Sequence, residues 1–230
     1  MTQRQEKFFF SVMFIFEGFE MSVETLKTGT TTVGIKTKEG VILASERRAT
    51  MGNIIAHSHV QKVFSISDNI GMTIAGLVGD AQLMVRFLQS EVAMYNMKRG
   101  APMSVGAAAT LVANVIRQGF YLGLIVGGHD HKGGHIFSID GAGGCIEDQY
   151  VSVGSGSLFA LGVLEGKYKE DMTEKEGVDL AISALNSAIR RDSASGDGML
   201  ISVINKNGTK EIPEDTIRAR AAELGFKYPY

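Results

Sequence analysis

Lys27-Thr28-Gly29-Thr30-Thr31-Thr32-Val33-Gly34 sets three consecutive threonines directly behind a glycine. A threonine hydroxyl is a weak nucleophile until a base stands beside it. Cleavage of the Gly29–Thr30 bond would create that base, because it frees the α-amino group of Thr30, whose ordinary pKa is about 7.7–8.0. Threonine assisted by its own N-terminal amine is one established way to build an activated nucleophile. The junction is therefore read as a maturation site with Thr30 as the nucleophile. The plainer alternative is a polar turn that leads into a strand.

Other side chains could do chemistry, but each has an ordinary explanation when taken alone. Glu46-Arg47-Arg48 reads as a solvated charge cluster, Lys62 as a surface cation, Ser155 and Ser157 as loop residues, and Asp192-Ser193 as a polar helix end. His57, His59, His129, His131 and His135 have neither a cysteine partner nor HExxH-type spacing, so no metal is expected. Gly127-Gly128 and Gly141–Gly144 are not followed by a helix carrying a Lys-Ser/Thr pair, so they are not read as phosphate loops. No cofactor is expected. Cys145 has no matching His/Asn constellation and reads as a small residue at a strand end.

The chain has 230 residues, 44% hydrophobic and 21% charged, which suits one soluble domain, alone or with an appendage. A formal net charge of −2 gives no electrostatic case for binding nucleic acid or an anionic membrane. The lone cysteine rules out an intrachain disulfide and suits a reducing, cytoplasmic location. Residues 1–29 stand apart. Arg4 and Lys7 precede the apolar run 8–16, which is too short to cross a bilayer as a helix and lacks a small-x-small cleavage signal. The segment is read as a leader removed by self-cleavage, leaving 30–230 as the catalytic domain; Met21 is an alternative start.

Those residues need elements to position them. Thr32–Lys38 and Val41–Ser45 flank Glu39-Gly40 as a hairpin. A second pair, Lys62–Ile66 and Ile70–Ala75, turns at 67–69. Met84, Leu88, Val92 and Tyr95 recur at helical spacing over 80–98, and Gly100-Ala101-Pro102 stops that helix. Ser104 caps a second helix whose stripe is Ala108, Leu111, Val112, Val115 and Ile116. Strands are expected at Leu122–Val126, His135–Asp140 and Gln149–Val153, and a helix at Leu158–Lys169. Thr173–Glu176 has capping-box form ahead of a face made by Val178, Ile182, Leu185 and Ile189. Strands Met199–Ile204 and Thr209–Ile212 and a helix over 213–224 close the chain. Hairpin strands interrupted by helix pairs predict an α+β fold with antiparallel sheets, most economically a four-layer αββα sandwich.

In this order and spacing the motifs acquire a joint meaning. Thr30–Gly34, Glu46-Arg47-Arg48, Thr73–Gly76 with Gly79-Asp80-Ala81, Gly154–Ser157 and Arg191–Gly196 resemble the proteasome β subunit of archaeal type over essentially all of 30–230. The resemblance implies the N-terminal-nucleophile hydrolase fold and a threonine endopeptidase. It makes Thr30 the autoprocessed nucleophile and Lys62 the ammonium that lowers the pKa of its amine and hydroxyl. Glu46 becomes the acidic partner of Lys62, and Gly76 the oxyanion-hole N–H. Ser155, Asp192 and Ser195 become the groups that hydrogen-bond around the new N-terminus, with Thr31 and Thr32 left as scaffold.

Ala49, Val60, Ile74 and Val78 match pocket positions. All are small or apolar, which implies cleavage after hydrophobic residues. Implied partners are other β subunits in a seven-membered ring, α-subunit rings, a regulatory ATPase acting through them, and unfolded polypeptide substrates. One departure is a Gly119–Gly127 connection that is shorter than usual. A non-catalytic ring subunit and, more distantly, an amidase of the same nucleophile class are the competing readings.

Overall fold

A computed structural model describes residues 29–228. The expected leader, apart from Gly29, and the alternative start at Met21 lie outside the described residues. Two five-stranded sheets form the centre. One has the order β10(Tyr150–Gly154), β1(Thr31–Lys36), β2(Gly40–Glu46), β11(Met199–Asn205), β12(Gly208–Glu211). The other runs β5(Val63–Ser67), β6(Ile70–Gly76), β7(Leu122–Asp130), β8(Gly133–Ile139), β9(Cys145–Glu147). Every pairing is antiparallel.

The sequence of β2 shows why two sheets must stack. Its central run Val41-Ile42-Leu43-Ala44 is fully buried, and successive strand residues point to opposite faces. Val41 and Leu43 pack with Val63, Ile125, Ile136, Leu200 and Ile204 between the sheets. Ile42 and Ala44 pack on the other side with Val33, Ile35 and Ile201 against helices. Burial on both faces produces a continuous apolar run rather than a polar alternation.

Helices α1(Val78–Arg99) and α2(Val105–Ile116) cover the β5–β9 sheet through Met84, Leu88, Val92, Ala108, Val112 and Ile116. Helices α3(Ser157–Lys167), α4(Glu174–Ile189) and α5(Glu214–Glu223) cover the other sheet through Ala160, Leu164, Ile182, Leu185 and Ile217. The result is the four-layer αββα sandwich that the element order predicts. Its punctuation also matches: Gly100 ends α1 in a left-handed conformation (φ 65°), Ser104 caps α2, and Thr173 with Glu176 forms the capping box of α4.

Several expectations need correction. Tyr95 is exposed and lies off the buried stripe of α1, whereas Leu111 and Val115 of the expected α2 stripe are partly buried and do pack against the core. The strand expected at Leu122–Val126 runs on to Asp130 as β7, with Gly127 and Gly128 inside it. A Cβ on Gly128 would stand 2.2 Å from the Asn69 carbonyl, so these glycines let backbones approach within the sheet. The hairpin β3(Ala49–Met51)–β4(Ile54–His57) and the short strand β9 have no counterpart in the sequence reading. Helix α3 stops at Lys167, before the expected Lys169. Cys145 does open a strand, β9.

Candidate active site

The expected site residues come from separate elements that meet at one end of the strands. Thr30 immediately precedes β1. The register pairs Thr31 with Gly154, Thr32 with Ser45, and Met199 with Glu46. Those pairings bring the end of β2, the end of β10 and the start of β11 around the threonine. Lys62 enters from the segment ahead of β5, and Gly76 from the end of β6. Ser155 follows β10, and Asp192 and Ser195 lie on the connection from α4 to β11.

Thr30 is buried, and its hydroxyl donates to the carbonyl oxygen of Gly29 at 2.6 Å. The hydroxyl of the candidate nucleophile therefore lies against the candidate scissile carbonyl. The Thr30 N–H donates to Ser155 Oγ at 3.1 Å, and Ser155 Oγ also lies 3.3 Å from the Thr30 carbonyl oxygen. Behind it Asp192 Oδ2 accepts from Ser155 Oγ at 2.6 Å and from Ser195 Oγ at 2.7 Å. Ser155 alone of these three touches the Thr30 nitrogen. Asp192 acts on it through Ser155, and Ser195 turns instead to Thr31 Oγ1, 2.7 Å away.

Glu46 and Lys62 form a buried ion pair. The Lys62 ammonium also donates to the Arg48 carbonyl. Glu46 Oε1 further accepts from the Thr31 N–H at 3.2 Å, while Oε2 accepts from the N–H groups of Arg48 (2.7 Å) and Gly196 (3.1 Å). Burial pushes the Lys62 amine below the ordinary lysine range, and the adjacent Glu46 carboxylate holds part of that shift back. Burial likewise raises the Glu46 carboxyl, against the pull of Lys62 and the two N–H groups on Oε2. The pair and the hydrogen bonds around it set a buried charged couple at the cleft that Thr30 also borders.

Gly29, Thr30 and Lys62 border a cleft of about 170 Å3. Ala49, Val60, Ile74 and Val78 all line it, together with Thr50, Gln61, Phe64, Gly76, Ala81 and Gln82. No carboxylate lines this cleft among the described residues. Gly76 has φ +139°, and a Cβ there would meet the Tyr121 carbonyl at 2.4 Å, so no side chain fits at the cleft edge.

The sequence reading missed Thr50, Gln61, Phe64, Ala81 and Gln82 as lining residues and gave Thr31 no more than a scaffold role. It also missed the Arg48 and Gly196 amides. Their signal was positional only, because backbone donors carry no residue signature. The histidines are spread elsewhere: His135 lies 2.6 Å from Glu147 on the neighbouring strand. Among the described residues, no group of three or more His, Cys, Asp or Glu side chains is arranged to hold a metal.

Residues 26–204 match the family described as proteasome subunit. The chain belongs to the proteasome subunit family. It is 51% identical over 199 residues to a proteasome subunit beta of Methanocorpusculum labreanum, covering 84% of this chain and 94% of that one. It is 50% identical over 208 residues to the proteasome subunit beta of Thermoplasma acidophilum, covering 88% and 98%. It is also 48% identical over 206 residues to that of Methanosphaerula palustris, covering 87% and 97%. Family membership and the layered sandwich agree, and the cleft with Thr30 sits at one end of the strands, beside the start of β1 and the ends of β2 and β6.

Proposed function

We propose that the protein is a catalytic β subunit of a proteasome core particle, a threonine endopeptidase that matures by cutting its own Gly29–Thr30 bond. One observation carries the reading: the Thr30 hydroxyl is 2.6 Å from the Gly29 carbonyl oxygen, beside the Lys62–Glu46 pair. In maturation, Thr30 Oγ attacks the Gly29 carbonyl carbon, the C–N bond breaks, and the acyl group moves to oxygen as an ester. The nitrogen leaves as the free amine of Thr30. Water then hydrolyses the ester and releases residues 1–29, leaving 30–230 as the working domain.

The same hydroxyl next attacks a substrate carbonyl, and its proton passes to the new amine, while the Lys62 ammonium favours the deprotonated oxygen. The Gly76 N–H is assigned to the developing oxyanion. The departing amine takes the proton, and water hydrolyses the acyl ester. Ser155, backed by Asp192 and Ser195, keeps the α-amine oriented toward Oγ. The apolar cleft walls of Ala49, Val60, Ile74 and Val78 support cleavage after hydrophobic residues. Assembly into seven-membered β rings with α rings, feeding by a regulatory ATPase and a cytoplasmic setting complete the proposal.

Thr30→Ala tests it. The assembled variant should retain residues 1–29, read by intact mass, and should hydrolyse no hydrophobic peptide. Retained peptidase activity would remove Thr30 from the nucleophile role. A parent particle that keeps residues 1–29 would favour a non-catalytic ring subunit.

A further inference from the structure

Arg48 has two separate attachments to the site. Its backbone lies on the Glu46–Lys62 pair: the N–H donates to Glu46 Oε2 at 2.7 Å and the carbonyl accepts from Lys62. Its side chain crosses to the connection between α4 and β11. There Nε donates to Asp197 Oδ2 at 2.7 Å, one terminal nitrogen reaches Asp197 Oδ1 at 3.2 Å, and the other reaches the Ser193 carbonyl at 3.0 Å. The two side chains are only 17% and 19% exposed, so this forked pair is not a solvated surface contact.

The loop is shaped to receive the guanidinium. A Cβ on Gly196 would stand 2.3 Å from an Arg48 terminal nitrogen, so the planar group lies directly over bare backbone. Asp197 holds a left-handed backbone at φ 63°, one of only two such non-glycine residues among the described residues. The neighbours of these two positions are the groups the site uses: Ser195 bonds Thr31 and Asp192, and the Gly196 N–H bonds Glu46. The Gly196 carbonyl also accepts from the Arg47 N–H at 3.1 Å.

We infer that Arg48 and Asp197 form a clasp that holds the 192–197 loop in register with the Glu46–Lys62 pair, so both are positioning residues for the reaction of Thr30. The inference rests on the assignment of Thr30 as nucleophile. Asp197→Asn keeps the shape and tolerates the left-handed backbone but removes the charge. Arg48→Lys keeps the charge but cannot supply the fork.

In particles assembled with α subunits, each variant should lower kcat for a hydrophobic peptide about tenfold and slow loss of residues 1–29 similarly, with KM within about twofold of the parent. The double variant should be no slower than the slower single, because both changes break one contact. An Asp197→Asn particle with parental kcat overturns the clasp. So does a rise in KM at unchanged kcat, or a double variant whose losses multiply. If Arg48→Lys fails to assemble, kcat and KM of Asp197→Asn decide alone. A parent particle without peptidase activity overturns the Thr30 assignment and the clasp with it, whereas an active parent with unaffected variants overturns the clasp alone.

Discussion

At Gly29 a single methyl group has nowhere to go. A Cβ built there would stand 1.7 Å from Ala194 Cβ, so the residue ahead of the candidate cleavage site must be glycine while Ala194 keeps its place. Gly29→Ala should therefore displace the scissile carbonyl from Thr30 Oγ and slow maturation by at least about tenfold, since misplacement on this scale costs large factors in rate. Ala194→Gly in the same chain should restore part of it; intact-mass time courses of the assembled particle read both.

Lys62 supplies the second test at this scale. Lys62→Ala should cost roughly 100- to 10,000-fold in turnover, the range for a positioned acid–base group. Glu46→Gln removes the negative charge that favours the ammonium, so the Lys62 pKa should fall further below 10.5. The limb of the pH–rate profile that Lys62 governs should then move to lower pH. A limb that stays in place would separate Lys62 from the proton transfer.

Elements are held to one another through contacts between their ends, here at the end of β7 away from Gly76. Asp130, at the end of β7, accepts from the Val105 N–H at the start of α2 (3.0 Å) and from the Lys132 N–H in the turn (2.9 Å). Burial alone would raise its carboxyl, but these N–H groups, with His135 and His131 beside them, hold it below the ordinary value of 3.8. A carboxyl depressed on folding contributes stability above its unfolded pKa, and that contribution is lost as pH falls through the lower, folded value. Asp130→Asn should flatten the acid limb of the stability profile below about pH 4 and lower the thermal midpoint near neutrality. An acid limb identical to the parent's would show that α2 does not depend on this cap. Gly100, left-handed at φ 65°, poses a simpler case: Gly100→Ala should cost about 1 kcal/mol by denaturant titration.

The whole molecule depends on the layer between its two sheets. Leu43 is fully buried there with Val41, Ile125, Ile136 and Ile204, and its side chain also approaches the bare faces of Gly71 and Gly127. Leu43→Ala should remove about 2–5 kcal/mol, the range for a large-to-small core change that leaves a cavity. A loss below about 1 kcal/mol in denaturant titration would mean the sheets close over the gap. Because β2 ends in Glu46 and is flanked by β1 and β11, loosening this layer should also slow maturation.

The amino-acid sequence by itself determined the element order and most of their bounds. Apolar periodicity, the Ser104 and Thr173 caps and the Gly100 stop are local signals, each readable within a few residues. It also singled out Thr30 behind Gly29, whereas Glu46, Lys62 and Ser155 gained their candidate roles only through the joint resemblance of the motifs to a known family. Local signals fail where a contact is non-local. The continuous apolar run of β2 means burial on two faces, but only packing shows which sheet lies on each. Gly127-Gly128 looks like a break until Asn69 is found against it. Tertiary structure alone decided that Thr31 joins Glu46 to Ser195, that Ser155 rather than Asp192 or Ser195 touches the Thr30 nitrogen, and that Arg48 reaches Asp197. Those partners lie from 15 to 164 positions apart in the chain, and backbone donors such as the Gly196 N–H are identical in every residue but proline. Their selection belongs to the geometry of the folded sheets.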